Sequence, residues 1–450
     1  MNRNCMLKLG SIALVMVVLL AALGMIHGTI SERSARSVEV AADIARASSA
    51  AQTITGPVLI VPWRRTVVEW SEDAATHLRH SIERPVEGRF YFLPDRLLVD
   101  TRLRTELRAR GIYEVRLYHS NNSLQGEFVL PAQWGVTEDY ASYRFGEALL
   151  ALGVSDIRGI ESDIALLLDG QPLRFAPGSG TSLLPNGVRA RLGVLDATAT
   201  RTLKFNMQLP LAGTGELHLT PVGRDTLVQL ASDWPHPHFT DDYLPVRHVI
   251  DANGFKAEWR TNWFATNLDE ALQHCALKHD CAEFGARRLG VSFIEPVNQY
   301  SKTDRAIKYA LLFIALTFAG FFLFEVLRGL SVHPVQYGMV GAALALFYLL
   351  LLSLTEHLGF ELAYVVASLG CVGLLGYYIS HVLQSAWRGG GFAAGIAALY
   401  GVLYGLLRAE DYALLMGALL LFSALALVMV LTRNVDWSAL GARESNTTRS

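Results

Sequence analysis

Stretches without a charged residue constrain this chain more than any other feature, because each must be buried in a bilayer or in a large apolar core. Between Ala306 and Thr432 there are nine charges in 127 residues, although the chain is 18% charged overall. The charges fall between apolar runs, not within them. Residues 309–324, 329–355, 362–387, 389–407 and 412–432 carry none. Each run has about the length that crosses ~30 Å of hydrocarbon at ~1.5 Å per residue. They predict five membrane helices in one block. A sixth run, residues 9–31, precedes about 275 residues of ordinary soluble composition.

The first run is longer than a usual signal-peptide core. The His27, Gly28, Thr29, Ile30 and Ser31 segment offers no small-x-small cleavage site, so a retained anchor is expected. Arg3 and Lys8 place its N-terminal side in the cytoplasm. With six spans, the same rule puts Arg328, Arg388, Arg433, Arg443 and Arg449 on the cytoplasmic side. The opposite loops carry Glu356 without Lys or Arg, and Arg408 beside two acids. The expected fold is a six-helix α-helical transmembrane bundle plus a large β-rich, sandwich-like periplasmic domain inserted between spans 1 and 2. Residues 1–31 form the cytoplasmic leader and first helix, 32–305 the periplasmic domain with a helical stalk, 306–432 the five-helix block, and 433–450 a cytoplasmic tail. That makes the chain a multi-pass membrane protein with both termini cytoplasmic and residues 32–305 outside, in the periplasm if the cell is a Gram-negative bacterium.

A net charge of −2 without any Lys/Arg-dense run argues against a nucleic-acid partner. The basic residues from Arg102 to Arg116 alternate with apolar ones, as on a half-buried strand whose face is solvated rather than an anionic-ligand groove. Cys5 and Cys371 have no His/Asp set nearby that suggests a metal or a nucleophile. Cys275 and Cys281 lie six apart in the exported segment, where a disulfide and two free thiols near a helix end both fit.

Val38, Ala41, Ala42 and Ala45 mark one helical face and predict a stalk, which Gly56-Pro57 stops. Beyond it the period becomes two. Residues 88–93, 112–118 and 124–130 read as antiparallel strands, with Ser120, Asn121, Asn122 and Ser123 as the turn between the last two. Residues 202–209, 215–220 and 226–232 repeat the pattern, while 149–168 fits a short helical turn or a strand end equally.

Residues 213–224 run Gly-Thr-Gly-Glu-Leu-His-Leu-Thr-Pro-Val-Gly-Arg, and 230–239 run Leu-Ala-Ser-Asp-Trp-Pro-His-Pro-His-Phe. Together they resemble the inner-membrane protein CreD family, also called cell envelope integrity proteins. Residues 56–63, 110–115, 254–260, 299–309, 325–327, 333–337, 353–360 and 431–437 are similar to the same family, in order, so the resemblance covers nearly the whole chain. One departure stands at His238, where the family pattern has Ser, and it weakens any role needing two histidines there. The resemblance implies an inner-membrane protein linked to envelope integrity, whose expression answers to a carbon-source-responsive two-component system. It implies no reaction.

His236 and His238, two apart in an extended segment with Asp233, Asp241 and Asp242 nearby, have metal-like spacing. Pro235 and Pro237 between them read instead as a rigid loop packed on Trp234 and Phe239, and no metal is expected. Glu325, near the cytoplasmic end of the second span, and Arg328 at i+3 form a candidate intramembrane polar pair. A boundary carboxylate reaching the headgroups is the simpler reading. Glu361 and His381 invite the same reading. Gly370, Gly373, Gly376 and the pairs Gly391/Gly395 and Gly401/Gly405 suit close helix packing or a homo-oligomer contact.

No Gly-x-Ser-x-Gly elbow, His-Glu-x-x-His helix or Cys-x-x-Cys pair occurs, so no catalytic residue and no cofactor is assigned. The expected function is non-catalytic binding of an envelope component or protein partner, with the lipid bilayer around the bundle. The alternative is a membrane-embedded transporter or enzyme acting on a lipid-linked envelope substrate, which the lack of mid-membrane charge disfavours.

Overall fold

Apolar residues at every second position give the middle of the chain two β-sheets that share one core. The computed structural model describes residues 3–72, 79–278, 281–293, 299–328, 332–382, 384–408 and 413–433. Two units divide the chain, one of residues 39–295 and one of residues 1–38 with 296–450.

Among the described residues, the first sheet has nine strands. Its path is His238–Asp241, Leu289–Ser292, Glu216–Thr220, Gln52–Glu72, Ala148–Val154, Gly187–Gly193 and Ala176–Pro177. Arg79–Phe92 and Tyr143–Phe145 pair farther along Gln52–Glu72. The second sheet has eight: Arg247–Asp251, Gly254–Asn262, Asp225–Ser232, Arg96–Arg110, Tyr113–Leu130, Arg201–Thr214, Ala165–Leu168 and Gln171–Leu173. Val99, Leu103, Leu124 and Phe128 of the second sheet share one buried cluster with Val58, Ile60, Leu150 and Leu152 of the first. Each such side chain contributes about 1.5–3 kcal/mol by leaving water. The Tyr118 hydroxyl crosses between the sheets and donates to the Glu216 carbonyl at 2.7 Å.

The turn expected at Ser120 to Ser123 does not form. Tyr113–Leu130 is one continuous strand, with Asn122 opposite Thr101 on one side and Leu209 on the other. Buried Asn122 donates Nδ2 to Ser120 Oγ (2.9 Å) and to the Leu209 carbonyl (3.0 Å), and accepts from Thr101 Oγ1 at 2.9 Å. Ser120 donates onward to the Leu211 carbonyl at 2.8 Å. Asn and Ser favour turns because their side chains bond locally to backbone; here pairing on both edges satisfies them within the ladder. The chain reverses instead at Gly111, whose φ of +68° suits a residue without a Cβ.

Gly56-Pro57 is not the stop of the stalk helix. It lies inside Gln52–Glu72, where the register against Ala148–Val154 shifts between Thr55 and Val58. The helix Arg3–Ala47 ends earlier, and its last turns rest Val40, Ala41 and Ile44 on Val115 and Leu117. The ambiguous stretch 149–168 resolves into Ala148–Val154, a 3₁₀ turn at Ile157–Gly159 and Ala165–Leu168.

In the other unit, Pro334–Leu358, Phe360–Val382, Ala386–Arg408 and the apolar part of the first helix are long and apolar enough to cross a membrane. Gln299–Lys308 and Ala310–Leu323 make a fifth span if taken together, bent by 43°. The sixth expected helix, Ala413–Thr432, offers a shorter described apolar stretch, Leu415–Val430. The described residues thus hold four spans, or five with the bent pair. Residues 409–411, Arg443 and Arg449 lie outside the described residues, as does the Cys5 side chain.

Close helix approach falls partly on other glycines than expected. A Cβ on Gly341 would stand 2.3 Å from the Leu19 side chain, and one on Gly376 2.9 Å from the Ala393 methyl. Gly370, Gly373, Gly391, Gly395 and Gly401 face open space.

Asn122→Ala should destabilise the sandwich by about 1–3 kcal/mol, because the Thr101 hydroxyl loses its buried acceptor. Thermal unfolding of the full-length protein followed by tryptophan fluorescence checks this, and an unchanged midpoint would rule out the amide as a register lock.

Candidate polar cleft and ion clusters

Alternation also leaves an outward face on the eight-stranded sheet, and a cleft of 1120 Å³ lies on it. Cross-strand register aligns Lys256, Ala231, Arg102, Asn121 and Pro210 in one transverse row of its floor. Arg104 stands opposite His119 in the next row. One wall is the hairpin turn before Gly254. There Asp251 accepts from the Asn253 N–H at 2.7 Å, and Gly254 has φ +134° with no room for a Cβ, which would meet the Ser232 carbonyl at 1.9 Å. The other wall is the Glu161, Ser162, Asp163 loop, whose Glu161 N–H donates to the Pro210 carbonyl at 3.2 Å.

His119 fastens that loop to the sheet. Its Nδ1 is 2.6 Å from Glu161 Oε1 and its Nε2 is 3.2 Å from Glu106 Oε2. Partial burial opposes the imidazolium, but hydrogen bonds and charge from Glu161 and Glu106 outweigh it and hold the His119 pKa above the ordinary histidine range. Glu106 is correspondingly held below the usual carboxylate range by its bonds to His119 and Arg108. From sequence this arginine face reads as a solvated sheet face ahead of an anionic-ligand groove. The walls come from segments far away in the chain, so no local pattern marked the cleft.

A second cluster is buried in the nine-stranded sheet. His218 Nδ1 lies 2.5 Å from Asp241 Oδ2, its Nε2 3.1 Å from Glu216 Oε2, and Arg288 Nε donates to Asp241 Oδ1 at 3.0 Å. These bonds tie Glu216–Thr220, Leu289–Ser292 and His238–Asp241 together and compensate the burial of charge. Gly290 makes the space, since a Cβ there would stand 2.5 Å from His218 Nδ1. The sequence reading missed His218 as a cluster residue, although the two-residue spacing of Glu216 and His218 already puts them on one strand face.

His236 and His238 are both exposed, and two of the three acids near them are engaged elsewhere. Asp233 accepts from the Thr105 N–H and hydroxyl at 2.9 and 3.0 Å, and Asp241 serves His218 and Arg288. Among the described residues, no group of three or more His, Cys, Asp or Glu is placed to hold a metal ion. Trp234 Nε1 donates to the His236 carbonyl at 2.8 Å, and the Arg116 guanidinium sits 3.7 Å from the Trp234 ring centroid, which makes this segment a packed loop.

In the helical unit, Glu325 is buried and accepts from the Tyr337 hydroxyl at 2.9 Å and the Val332 N–H at 3.2 Å. It thereby joins the end of Ala310–Arg328 to the start of Pro334–Leu358, whose N-terminus His333 and Gln336 cap reciprocally. The Arg328 side chain lies outside the described residues. A polar cluster elsewhere links Tyr300 and Arg33 to Glu356 at 3.4 and 3.7 Å, Lys302 to Glu361 at 3.4 Å, and His27 to Asp304 at 3.2 Å. The Tyr404 hydroxyl also donates to Glu361. His381 Nδ1 sits 3.0 Å from the Tyr377 carbonyl of its own helix.

A family model described as "Inner membrane protein CreD" matches residues 4–438. The chain belongs to the CreD family of inner membrane proteins. It is 36% identical over 432 residues to the Inner membrane protein CreD of Escherichia coli (strain K12), across 96% of this chain and 93% of that one. Two solved structures also align weakly. An M1 zinc metallopeptidase from Deinococcus radiodurans, bound to a Tyr-Ser-Ala substrate, gives a TM-score of 0.19 at 8% identity over 38% of this chain and 39% of that one. A two-domain M1 zinc metallopeptidase bound to L-tryptophan gives 0.18 at 9% identity, over 38% of this chain and 40% of its own. Likenesses this low carry no argument about the site. The segments that resemble the CreD family do converge in space: 299–309 and 353–360 meet through Tyr300 and Glu356, and 213–224 contributes Glu216 and His218 to the buried cluster.

Because the His119 pKa is raised, its clamp stabilises the protein fully below the unfolded-state pKa, and this is lost as pH rises through the folded value. The difference in melting temperature between wild type and His119→Gln should be largest in mildly acid solution and shrink toward alkaline pH. A difference that ignores pH would remove the imidazolium from the clamp. Glu325→Ala should cost about 1–3 kcal/mol, as it leaves the Tyr337 hydroxyl and Val332 N–H without this acceptor. Glu325→Gln keeps one acceptor oxygen, so its melting temperature in detergent micelles should fall less; equal losses would assign the effect to charge.

Proposed function

We propose that this chain is a six-span inner-membrane protein with both termini cytoplasmic and its β-sandwich in the periplasm. In this reading the sandwich binds an envelope component and so contributes to envelope integrity, without chemistry of its own. The cleft on the outer sheet face is the observation that carries it: a wide polar concavity built on a rigid, doubly paired sheet. The alternation of basic loops supports the orientation, with Ala413–Thr432 as the sixth span. The Cys275–Cys281 disulfide suits an oxidising compartment. Both ring nitrogens of His119 face carboxylates, and so do both of His218, so neither imidazole is open to activate a hydroxyl as a general base.

A photo-crosslinking residue at Asn121, in the cleft floor, should capture a reproducible envelope component in living cells. The same probe at Val194, exposed but outside the cleft lining, should not. Identical products from both positions, or none from Asn121, would overturn the reading.

A further inference from the structure

The geometry points to an anionic saccharide as the ligand of the sheet-face cleft, an inference that rests on the binding role proposed above. The charges of the lining are segregated: Arg102, Arg104 and Lys256 stand on the floor strands, while the four acids lie at the hairpin (Asp251), just past a strand end (Asp233) and in the loop of Glu161 and Asp163. Three of the four acids in the lining are fixed in place, Glu161 by His119, Asp233 by Thr105 and Asp251 by the Asn253 N–H, and so cannot swing over to the floor cations. Among the described residues, Arg104 and Lys256 have no acidic partner. Arg102 has only a 3.9 Å contact with Asp100 at the surface, a kind of pair that contributes little.

These three cations converge by register. Arg102 and Lys256 flank Ala231 from the two neighbouring strands, so their Cα atoms are about 9–10 Å apart, two strand spacings. Arg104 follows about 7 Å along the same strand on the same face. The short Ala231 side chain leaves depth between the longer ones. A group with negative charge placed over Ala231 comes within reach of all three, and the two guanidinium groups offer forks that match a phosphate or a carboxylate.

Charge alone does not account for the rest of the lining. Asn121 stands beside Arg102 in the same row, and Asp163 stands on the facing wall, and neither has a partner among the described residues. An amide and a carboxylate lining the same cleft as the cations are what hydroxyl groups require. A bare anion leaves those two unmatched, and a neutral sugar leaves the cations unmatched.

The full-length protein in detergent micelles can be titrated by calorimetry with N-acetylglucosamine 1-phosphate, N-acetylmuramic acid, N-acetylglucosamine and inorganic phosphate. At least one of the two anionic sugars should bind about tenfold or more tightly than both the neutral sugar and inorganic phosphate. Which of them binds separates a phosphate source from a carboxylate one. The advantage should vanish in the double variant Arg104→Gln/Lys256→Gln, whose melting temperature should match wild type because both side chains are exposed. It should also vanish at ~1 M salt, where the screening length falls to about 3 Å. Equal binding of the neutral sugar, equal binding of inorganic phosphate, a preference that survives in the variant, or binding of none of the four overturns the ligand class. Crosslinking from Asn121 reports separately on whether the cleft binds anything, so the two failures are distinguishable.

Discussion

Asn122 is an amide buried inside a β-sheet, and its three hydrogen bonds to Thr101, Ser120 and Leu209 are available in one register only. Side chains alternate with a period of two, so a slip of Tyr113–Leu130 by one residue against either neighbour would turn the whole strand over. Tyr118, Leu124 and Phe128 would then face water, and His119 and Asn121 would enter the core. One buried amide thus fixes both faces of the sheet. The core beneath and the cleft above are two consequences of the same pairing, and the Val115 and Leu117 that receive the end of the first helix lie on that strand too.

The helical unit answers the problem of buried polarity differently. An unpaired charge within hydrocarbon is costly, and here the described carboxylates Glu325, Glu356 and Glu361 sit near helix ends, each with a hydroxyl or a cation against it. Deeper in the bundle the polar groups are neutral and satisfied. The Tyr364 hydroxyl donates to the Tyr400 carbonyl at 2.7 Å, the Tyr400 hydroxyl to Cys371 Sγ at 3.3 Å, and Cys371 to the Ala343 carbonyl at 3.6 Å. That chain of bonds links three helices where the apolar residues alone gain nothing over lipid, and it accounts for Cys371 without any reactivity.

The apolar runs and the period-two stretches were legible because one solvent decides them at a time: water against core, or lipid against headgroup. Residues 88–93, 202–209, 215–220 and 226–232 fall in strands for that reason, apart from Leu93 and Gly215 at their ends. Ser120 to Ser123 misled, because turn propensity is local whereas the bonds that satisfy Asn122 come from residues 21 and 87 positions away. The glycines misled similarly. Gly-xxx-Gly spacing marks where a helix could be approached, but Gly341 meets its partner Leu19 from the far end of the sequence. His236 and His238 have metal spacing, yet the nearby acids are drawn to Thr105, His218 and Arg288, contacts that no spacing within the segment encodes.

The cleft itself was the least legible element, since its floor needs five strands and its walls need two loops. Those parts are not equally rigid. The floor is held by ladder pairing on both sides and by the buried amide, so it has one geometry. The Glu161 wall is held by its own N–H on the Pro210 carbonyl and by His119, whose imidazolium exists only over part of the pH range. A ligand that bridges floor and wall therefore meets a boundary that tightens when His119 is protonated and loosens when it is not. Glu161 faces a positive imidazolium in the first case and a neutral ring in the second. Acidification thus strengthens the clamp and offsets the charge of Glu161 within the cleft, and both effects fade together as the proton leaves.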